Sequence, residues 1–445
     1  MTLTDAMPVA NSMTDGPWLK ARAPSGETPW LNDIQGSIDP STDPAALASH
    51  LQQLMQSGKL IFPASPVHFI SDIHADARAL LESLVLAGVA VQTGPKLKHF
   101  SITATGLAST VVIGGDCLDK GPSNLKLLGL IQRLRNAGLK LRLLAGNHDL
   151  RLALGLQCFN AERHVMNEHL FVRMGSKTLP LLAEIWRSRL KKQPNPLAQI
   201  PTKQQCYQRL LPDADWAQRF RKAAVDIPAP ALEREITRIE EKTATFRAAC
   251  KAEGLSIRKV YAAATEAQRL FMTPSGEFAW FLPALDLFWR SGSFLFVHAG
   301  LDDDTAETLA SQGSEELNRR YRYAFKQNPF VFYASPLGNS LRTKYRPVDF
   351  PLTPKGVGAV HDAGVHAIVH GHRSHACGQR LALRAGLLHI EGDVTLDRNT
   401  RAKEGLTTRG AGVISLLPDG QILGMSADYA QIKVLTTRPL PAQRG

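Results

Sequence analysis

Apolar runs of three or four residues recur along the chain, and five of them stop at glycines or at acidic, amide or imidazole side chains. Val67-His68-Phe69-Ile70 runs into Ser71-Asp72-Ile73-His74, and Thr110-Val111-Val112-Ile113 into Gly114-Gly115-Asp116-Cys117-Leu118-Asp119-Lys120-Gly121. Leu141-Arg142-Leu143-Leu144 leads to Gly146-Asn147-His148-Asp149. Far along the chain, Phe294-Leu295-Phe296-Val297 precedes His298-Ala299-Gly300, and Ala367-Ile368-Val369 precedes His370-Gly371-His372. Short β-branched or aromatic runs bounded by glycine read as buried strands. After Pro122 the apolar spacing changes to that of a helix, with Leu127, Ile131 and Leu134 on one face. A strand, a polar loop and a helix in succession put the loop at the carboxyl end of the strand, where open α/β sheets place their sites.

The rest of the chain is organised around these units. Residues 1–64 read as an N-terminal lead-in, poorly ordered up to Pro44 because Pro, Ser, Thr and Asp are frequent there, with one helix from Ala45 to Gly58. Residues 65–445 read as the catalytic domain, interrupted at about 155–290 by a mostly helical insertion. Its clearest element lies between Pro230 and Gly254, where Leu232, Ile236, Ile239, Thr243, Phe246 and Cys250 follow three-four spacing. Strands return at Ser293, Ala334 to Arg346 reads as a loop, and Leu387-Leu388-His389-Ile390 and a strand pair around Pro418-Asp419-Gly420 close the fold.

If the first three runs are adjacent parallel strands, Asp72, His74, Asp116, Asp119, Asn147 and His148 converge at one sheet edge. With His298 and His372 they offer oxygen and nitrogen ligands for two divalent metals. The motifs Asp-x-His, Gly-Asp-x-x-Asp-x-Gly, Gly-Asn-His-Asp, His-Ala-Gly and Gly-His, in this order, resemble those of the calcineurin-like metallophosphoesterases, and the second and third are most similar to the phosphoprotein-phosphatase branch. The likeness lies in residues 65 to 155 and 290 to 395. It implies an α/β fold, a β-sandwich flanked by helices, holding two metal ions, and hydrolysis by in-line attack of a hydroxide that bridges them. It implies that Asp72 and His74 bind one ion, that Asp116 touches both, and that Asn147, His298 and His372 complete the other, with Asn147 also facing the substrate. By the same resemblance His148 is the general acid, positioned and kept charged by Asp119. Carboxylate, amide and imidazole donors together suit Mn, Fe or Zn.

Two departures from the family pattern stand out. Lys120 occupies a position where relatives usually have Arg, so it can offer charge to a phosphate oxygen but not a bidentate fork. The Gly-His-x-His motif of many metallophosphoesterases has Ser374 in its last place, which favours the phosphatase branch and leaves His370, His375 and His389 outside the main ligand set. A second phosphate clamp is placed at Arg342, after Ser335-Pro336-Leu337, with Arg346 as its rival. Cys117, between the two acids, reads as packing, and Asp393 as a residue that shapes the closing loop.

Composition adds limits. The chain has 445 residues, 44% of them apolar, and a net charge of +12; this suits anionic partners without choosing among them. Residues 161 to 290 alone hold 21 Lys and Arg against 14 Asp and Glu, so the insertion reads either as an appendage with a solvated basic face or as a cap that selects substrate. Five cysteines without CxxC spacing, and neither a secretory leader nor a long apolar run before residue 65, read as a cytoplasmic protein. The leading function is metal-dependent hydrolysis of phosphate monoesters, extending to phosphoserine or phosphothreonine proteins. Hydrolysis of a dinucleoside polyphosphate, a phosphodiesterase activity and a metal-containing binding module without turnover are the alternatives. A phosphorylated substrate is the expected partner; membrane is excluded, nucleic acid is disfavoured and the oligomeric state is left open.

Overall fold

Two β-sheets lie face to face with helices on the outside. The computed structural model describes residues 24–436 apart from 33, 226 and 228. In chain order the strands are β1 (Glu27–Pro29), β2 (Val67–Ile70), β3 (Ala90–Gln92), β4 (Phe100–Ile102), β5 (Thr110–Ile113), β6 (Lys140–Leu144), β7 (Leu285–Asp286) and β8 (Phe288–Ser291). They continue as β9 (Phe294–Val297), β10 (Ala367–His370), β11 (Arg380–Arg384), β12 (Leu387–Glu391), β13 (Gly412–Leu416), β14 (Gln421–Ser426) and β15 (Ile432–Thr436). One sheet has the order β1-β15-β14-β13-β2-β5-β6-β7 and the other β11-β12-β10-β9-β8, while β3 and β4 form a separate hairpin.

The three strands ahead of the first motifs are neighbours. β2 pairs with β5 and β5 with β6, both in parallel, with Ile70 opposite Ile113 and Ile113 opposite Leu143. β9 and β10 are likewise parallel neighbours in the second sheet. Because the register is even, each group of strands ends at one level, and the loops that follow meet there.

The core between the sheets is built from alternate residues of facing strands: Phe69, Val112 and Leu144 from one sheet, Phe296, Val369 and Ile390 from the other. Phe69 and Phe296 meet with ring centroids 6.0 Å apart. Residues of opposite parity face the helices, where Leu127, Ile131 and Leu134 of the Asn124–Asn136 helix are fully buried. Each such side chain contributes about 1.5–3 kcal/mol by leaving water.

The lead-in expected through residue 64 is corrected by the structure. From residue 24 the segment belongs to the sandwich: β1 adds to β15 at the sheet edge, and Trp30, Ile38, Leu47, Leu51 and Leu54 join the core between the sheets. Asp39 accepts from Arg384 at 2.9 Å and from Arg380 at 3.3 Å. Apolar anchors and a buried carboxylate outweigh the polar composition on which the expectation of disorder rested; residues 1–23 lie outside the described part. The Pro44–Ser57 helix has Asp43 as N-cap, proline in its first turn and Gly58 at its end with φ of 64°. The expected loop from Ala334 to Arg346 also differs, since Pro329–Ala334 and Pro336–Asn339 are short helices, each opened by a proline behind a side-chain cap.

The insertion is mostly helical and continuous with the main helix-side core. Its Ala229–Ala252 helix buries Leu232, Ile236, Ile239, Phe246 and Cys250, and also Glu235. Glu235 accepts from Arg173 Nε at 2.6 Å and Nη2 at 3.0 Å, and Arg173 also lies 4.4 Å from the Tyr333 ring centre. Removing one partner of a buried pair leaves the other charge unanswered. Glu235→Gln should therefore lower the unfolding free energy by about 3 kcal/mol, read from urea denaturation; a change below about 1 kcal/mol would show that the pair does not hold the insertion in place.

Candidate metal centre

The loops after β2, β5, β6, β9 and β10 bring eight sequence-predicted residues to one place: Asp72, His74, Asp116, Asp119, Asn147, His148, His298 and His372. All except His372 are buried. Several hold backbone conformations that side chains ordinarily avoid, with φ of 54° at Asp72, 44° at His74, 51° at Asp116, 78° at Asp119 and 68° at His372. Such strain gathers at sites whose surroundings dictate the geometry. Gly146 and Gly371 are needed for close approach, since a side chain there would run into Asp116 and Asp72 respectively.

Asp116 lies at the centre. Its Oδ2 is 3.7 Å from His74 Nε2 and 3.8 Å from His148 Nε2, while its Oδ1 is 3.6 Å from His298 Nε2. Asp72 Oδ1 stands 4.0 Å from His74 Nε2, and Asn147 Oδ1 is 3.3 Å from His298 Nε2. Ligands of one ion, each about 2.0–2.2 Å from it, lie about 3–4 Å from one another; the donors present fit such ions. Two groups have their ligand atoms within 4.8 Å of one another, His74 with Asp116 and His148, and Asp116 with His298 and His372.

The surroundings fix how the donors point. His74 and His298 use Nδ1 against the carbonyls of Leu118 at 3.2 Å and Gly114 at 2.8 Å, which leaves Nε2 turned inward. The ring of His372 is hydrogen-bonded to the backbone of Arg342. Asp72 Oδ2 accepts from Ser71 Oγ at 2.7 Å and from the His372 amide at 2.9 Å. Burial pushes the His74 and His372 imidazoles down to about 3. Burial opposes ionisation of Asp116, but His148, His298 and His74 hold its carboxyl well below the usual range.

His148 Nδ1 is 2.9 Å from Asp119 Oδ2. Burial lowers the His148 imidazole well below its ordinary value and raises the Asp119 carboxyl to about 7. Through this 2.9 Å contact Asp119 sets the orientation of the ring.

Lys120 reaches the site, its Nζ 2.7 Å from His74 Nε2. Arg342 touches it through its backbone, while its guanidinium lies 5.4 Å from the Tyr333 ring centre and donates to Ala334 O at 3.4 Å. Arg346 is engaged with Asp349 at 3.0 Å on an exposed loop. His370 and His389 bond to each other at 3.2 Å, and His375 Nε2 faces Glu391 at 2.7 Å, so these three serve a separate buried network. Asp393 accepts from the Thr395 amide at 3.0 Å and shapes its loop.

Sequence reasoning missed Asp149, which is fully buried and accepts from the amides of Gly146, Leu118 and Cys117 at 3.1, 3.0 and 3.3 Å. It ties the loop after β5 to the loop after β6. Its place within Gly-Asn-His-Asp was the available signal. Arg151, three residues past His148 on the Asn147–Cys158 helix, was also passed over, although i,i+3 spacing puts both on one side.

Residues 65–205 match the calcineurin-like phosphoesterase family. No curated protein matches the chain. Among solved structures it is similar to a cold-active protein tyrosine phosphatase, at 15% identity over 85% of this chain and 82% of that one, TM-score 0.44. Another structure of a cold-active protein-tyrosine phosphatase, from a psychrophilic Shewanella, has 14% identity over 85% and 84%, TM-score 0.43. A protein serine/threonine phosphatase from Saccharomyces cerevisiae, described as similar to human phosphatase PP5, has 13% identity over 89% and 90%, TM-score 0.37. Among the described residues no helix is long and apolar enough to cross a membrane. With this motif order and this meeting of carboxylates and imidazoles, residues 65–205 carry a calcineurin-like phosphoesterase match whose donor groups fit a metal-dependent phosphoesterase.

Proposed function

We propose that the chain hydrolyses phosphate monoesters in the manner of the phosphoprotein phosphatases, with phosphoserine or phosphothreonine proteins as the leading substrate class. The observation that carries this reading is the division of Asp116, one oxygen toward His74 and His148 and the other toward His298. Asp72 and His74 would hold one divalent ion, Asn147, His298 and His372 the other, and Asp116 both. When bound, such a pair of ions activates water as a nucleophile at neutral pH and neutralises phosphoryl oxygens. Mixed nitrogen and oxygen donors favour Mn, Fe or Zn.

The protein's own groups supply the rest. His148 faces the site through Nε2 and is held through Nδ1 by Asp119, the arrangement a general acid needs to give a leaving alkoxide its proton. Lys120 brings a flexible positive charge to a phosphoryl oxygen. Arg342 supports His372 through its backbone rather than clamping phosphate with its side chain. A nucleotide anhydride is the second substrate reading, favoured by the excess of cations beside the site. Five free cysteines support the reducing setting of the cytoplasm.

The direct test is turnover of p-nitrophenyl phosphate and of its bis ester by the purified chain, with Mn or with chelator. Monoester turnover that requires metal is the expected result. Preference for the bis ester would replace the monoesterase reading with a phosphodiesterase, and no turnover with bound metal would leave the binding-module alternative in place.

A further inference from the structure

We infer that the helical insertion braces the second ligand group: Tyr333, whose ring is shared by Arg173 of the insertion and by Arg342, is a positioning residue for His372 and His298. The inference rests on the phosphoesterase reading and gives the insertion a part in it.

The brace begins inside the insertion. Arg173, in the Leu170–Met174 helix, is gripped by Glu235 through Nε at 2.6 Å and Nη2 at 3.0 Å. A planar guanidinium held at two points has a fixed face to offer. That face lies 4.4 Å from the centre of the buried Tyr333 ring, and the guanidinium of Arg342 lies 5.4 Å from the same centre. An aromatic ring at these distances attracts both cations. Among the described residues the buried Nε of Arg342 meets no hydrogen-bond partner, and its Nη2 has only the carbonyl of Ala334, at 3.4 Å. The ring is therefore the main hold on this side chain.

From Tyr333 the backbone leads to the second ligand group in a few residues. The Pro336–Asn339 helix packs on the end of the Pro329–Ala334 helix so closely that a side chain at Gly338 would run into the carbonyls of Phe332 and Tyr333. Asn339 then ties the segment down: its Nδ2 donates to Asp302 Oδ2 at 3.0 Å, and its carbonyl accepts from the amides of Arg342 and Thr343, both at 2.9 Å. The carbonyl of Ser340 accepts at 3.0 Å from the amide of Ala299, the residue after His298. Two residues further on, the backbone of Arg342 bonds the ring of His372. One short segment thus holds the loop behind His298 and the ring of His372, whose centroids are 5.1 Å apart. The first group is held differently, His74 by the carbonyl of Leu118 at 3.2 Å and His148 by Asp119 at 2.9 Å. The brace should act on one ligand group and spare the other.

Calorimetric titration of the full chain with Mn is the test, with the event lost in His298→Ala marking the second group. Tyr333→Leu removes the ring but keeps the Arg173–Glu235 pair; it should weaken that event by about tenfold or more and leave the other within about twofold. Tyr333→Phe keeps the ring and should keep the affinity. Arg342→Met, which retains the backbone contact and withdraws the guanidinium, should weaken the same event and serves if Tyr333→Leu does not fold. Ile257→Ala empties a buried position of the insertion whose neighbours, Lys203, Tyr207 and Leu255, include no brace residue. It should lower the melting temperature with both events unchanged, which separates positioning from stability. Unaltered binding in Tyr333→Leu and Arg342→Met, equal weakening of both events, or the same loss in Ile257→Ala would overturn the inference. In the metal-free chain, ring-nitrogen NMR with His372 assigned through His372→Gln should show the His372 signals moved by Tyr333→Leu and not by Ile257→Ala; unmoved signals would also overturn it. A chain that neither binds Mn nor hydrolyses any phosphate ester would count against the phosphoesterase reading, with the spectra still deciding whether Tyr333 positions His372.

Discussion

Asp116→Asn should abolish turnover of p-nitrophenyl phosphate, lowering kcat/KM by about a thousandfold or more, and should reduce bound metal from two ions per chain to one or none. The asparagine keeps the shape but offers one acceptor oxygen, and its amide nitrogen would confront one of the two imidazole sets. Oδ1 faces His298 at 3.6 Å and Oδ2 faces His74 at 3.7 Å, so neither orientation of the amide serves both sides. The substitution also removes a buried negative charge just where two dications would be held. Metal analysis beside the kinetics checks both parts of the expectation. A variant that holds two ions and retains wild-type turnover would show that the shared carboxylate is dispensable.

His148→Asn should lower kcat by about a hundredfold or more on phosphoserine peptides, as expected when a general acid is removed. The loss on p-nitrophenyl phosphate should be much smaller, because nitrophenolate departs without needing a proton. This contrast distinguishes proton donation from metal binding, which matters because His148 Nε2 is almost as near to Asp116 Oδ2 as His74 Nε2 is. Loss of an ion in the variant, or equal losses on both substrates, would make His148 a ligand. Asp119→Asn should follow the same pattern more weakly, with kcat falling and KM little changed, since Asp119 acts through the orientation of the ring at 2.9 Å.

The sites at strand ends were legible because local sequence decides them. A four-residue apolar run in a parallel sheet needs cover on both faces, and the residues just after it lie at the carboxyl end of the strand. Thus Asp72, Asp116, His148 and His298 were placed by their neighbours in sequence. What could not be read depended on contacts between distant segments. Arg173 and Glu235 are 62 residues apart, and nothing in either segment announces the pair. Lys120 was visible as a departure from the family pattern, whereas its contact with His74 follows from how two loops cross. The N-terminal segment was misjudged because composition was weighed and its few apolar anchors were not: Trp30 alone, only 1% exposed, shows that this stretch has a place to go.

The two candidate ligand groups stand on different mechanical footings. His74, Asp116 and His148 all follow β2, β5 and β6 of one sheet, so the first group moves as one piece with its backbone ladder. Asp116, His298 and His372 span both sheets, and the apolar layer where Phe69 meets Phe296 works as a gauge block that sets the gap between them. Side chains remote from the donor atoms thereby set the spacing of the second group, and the filling of the sandwich becomes part of the tolerance to which the centre is built.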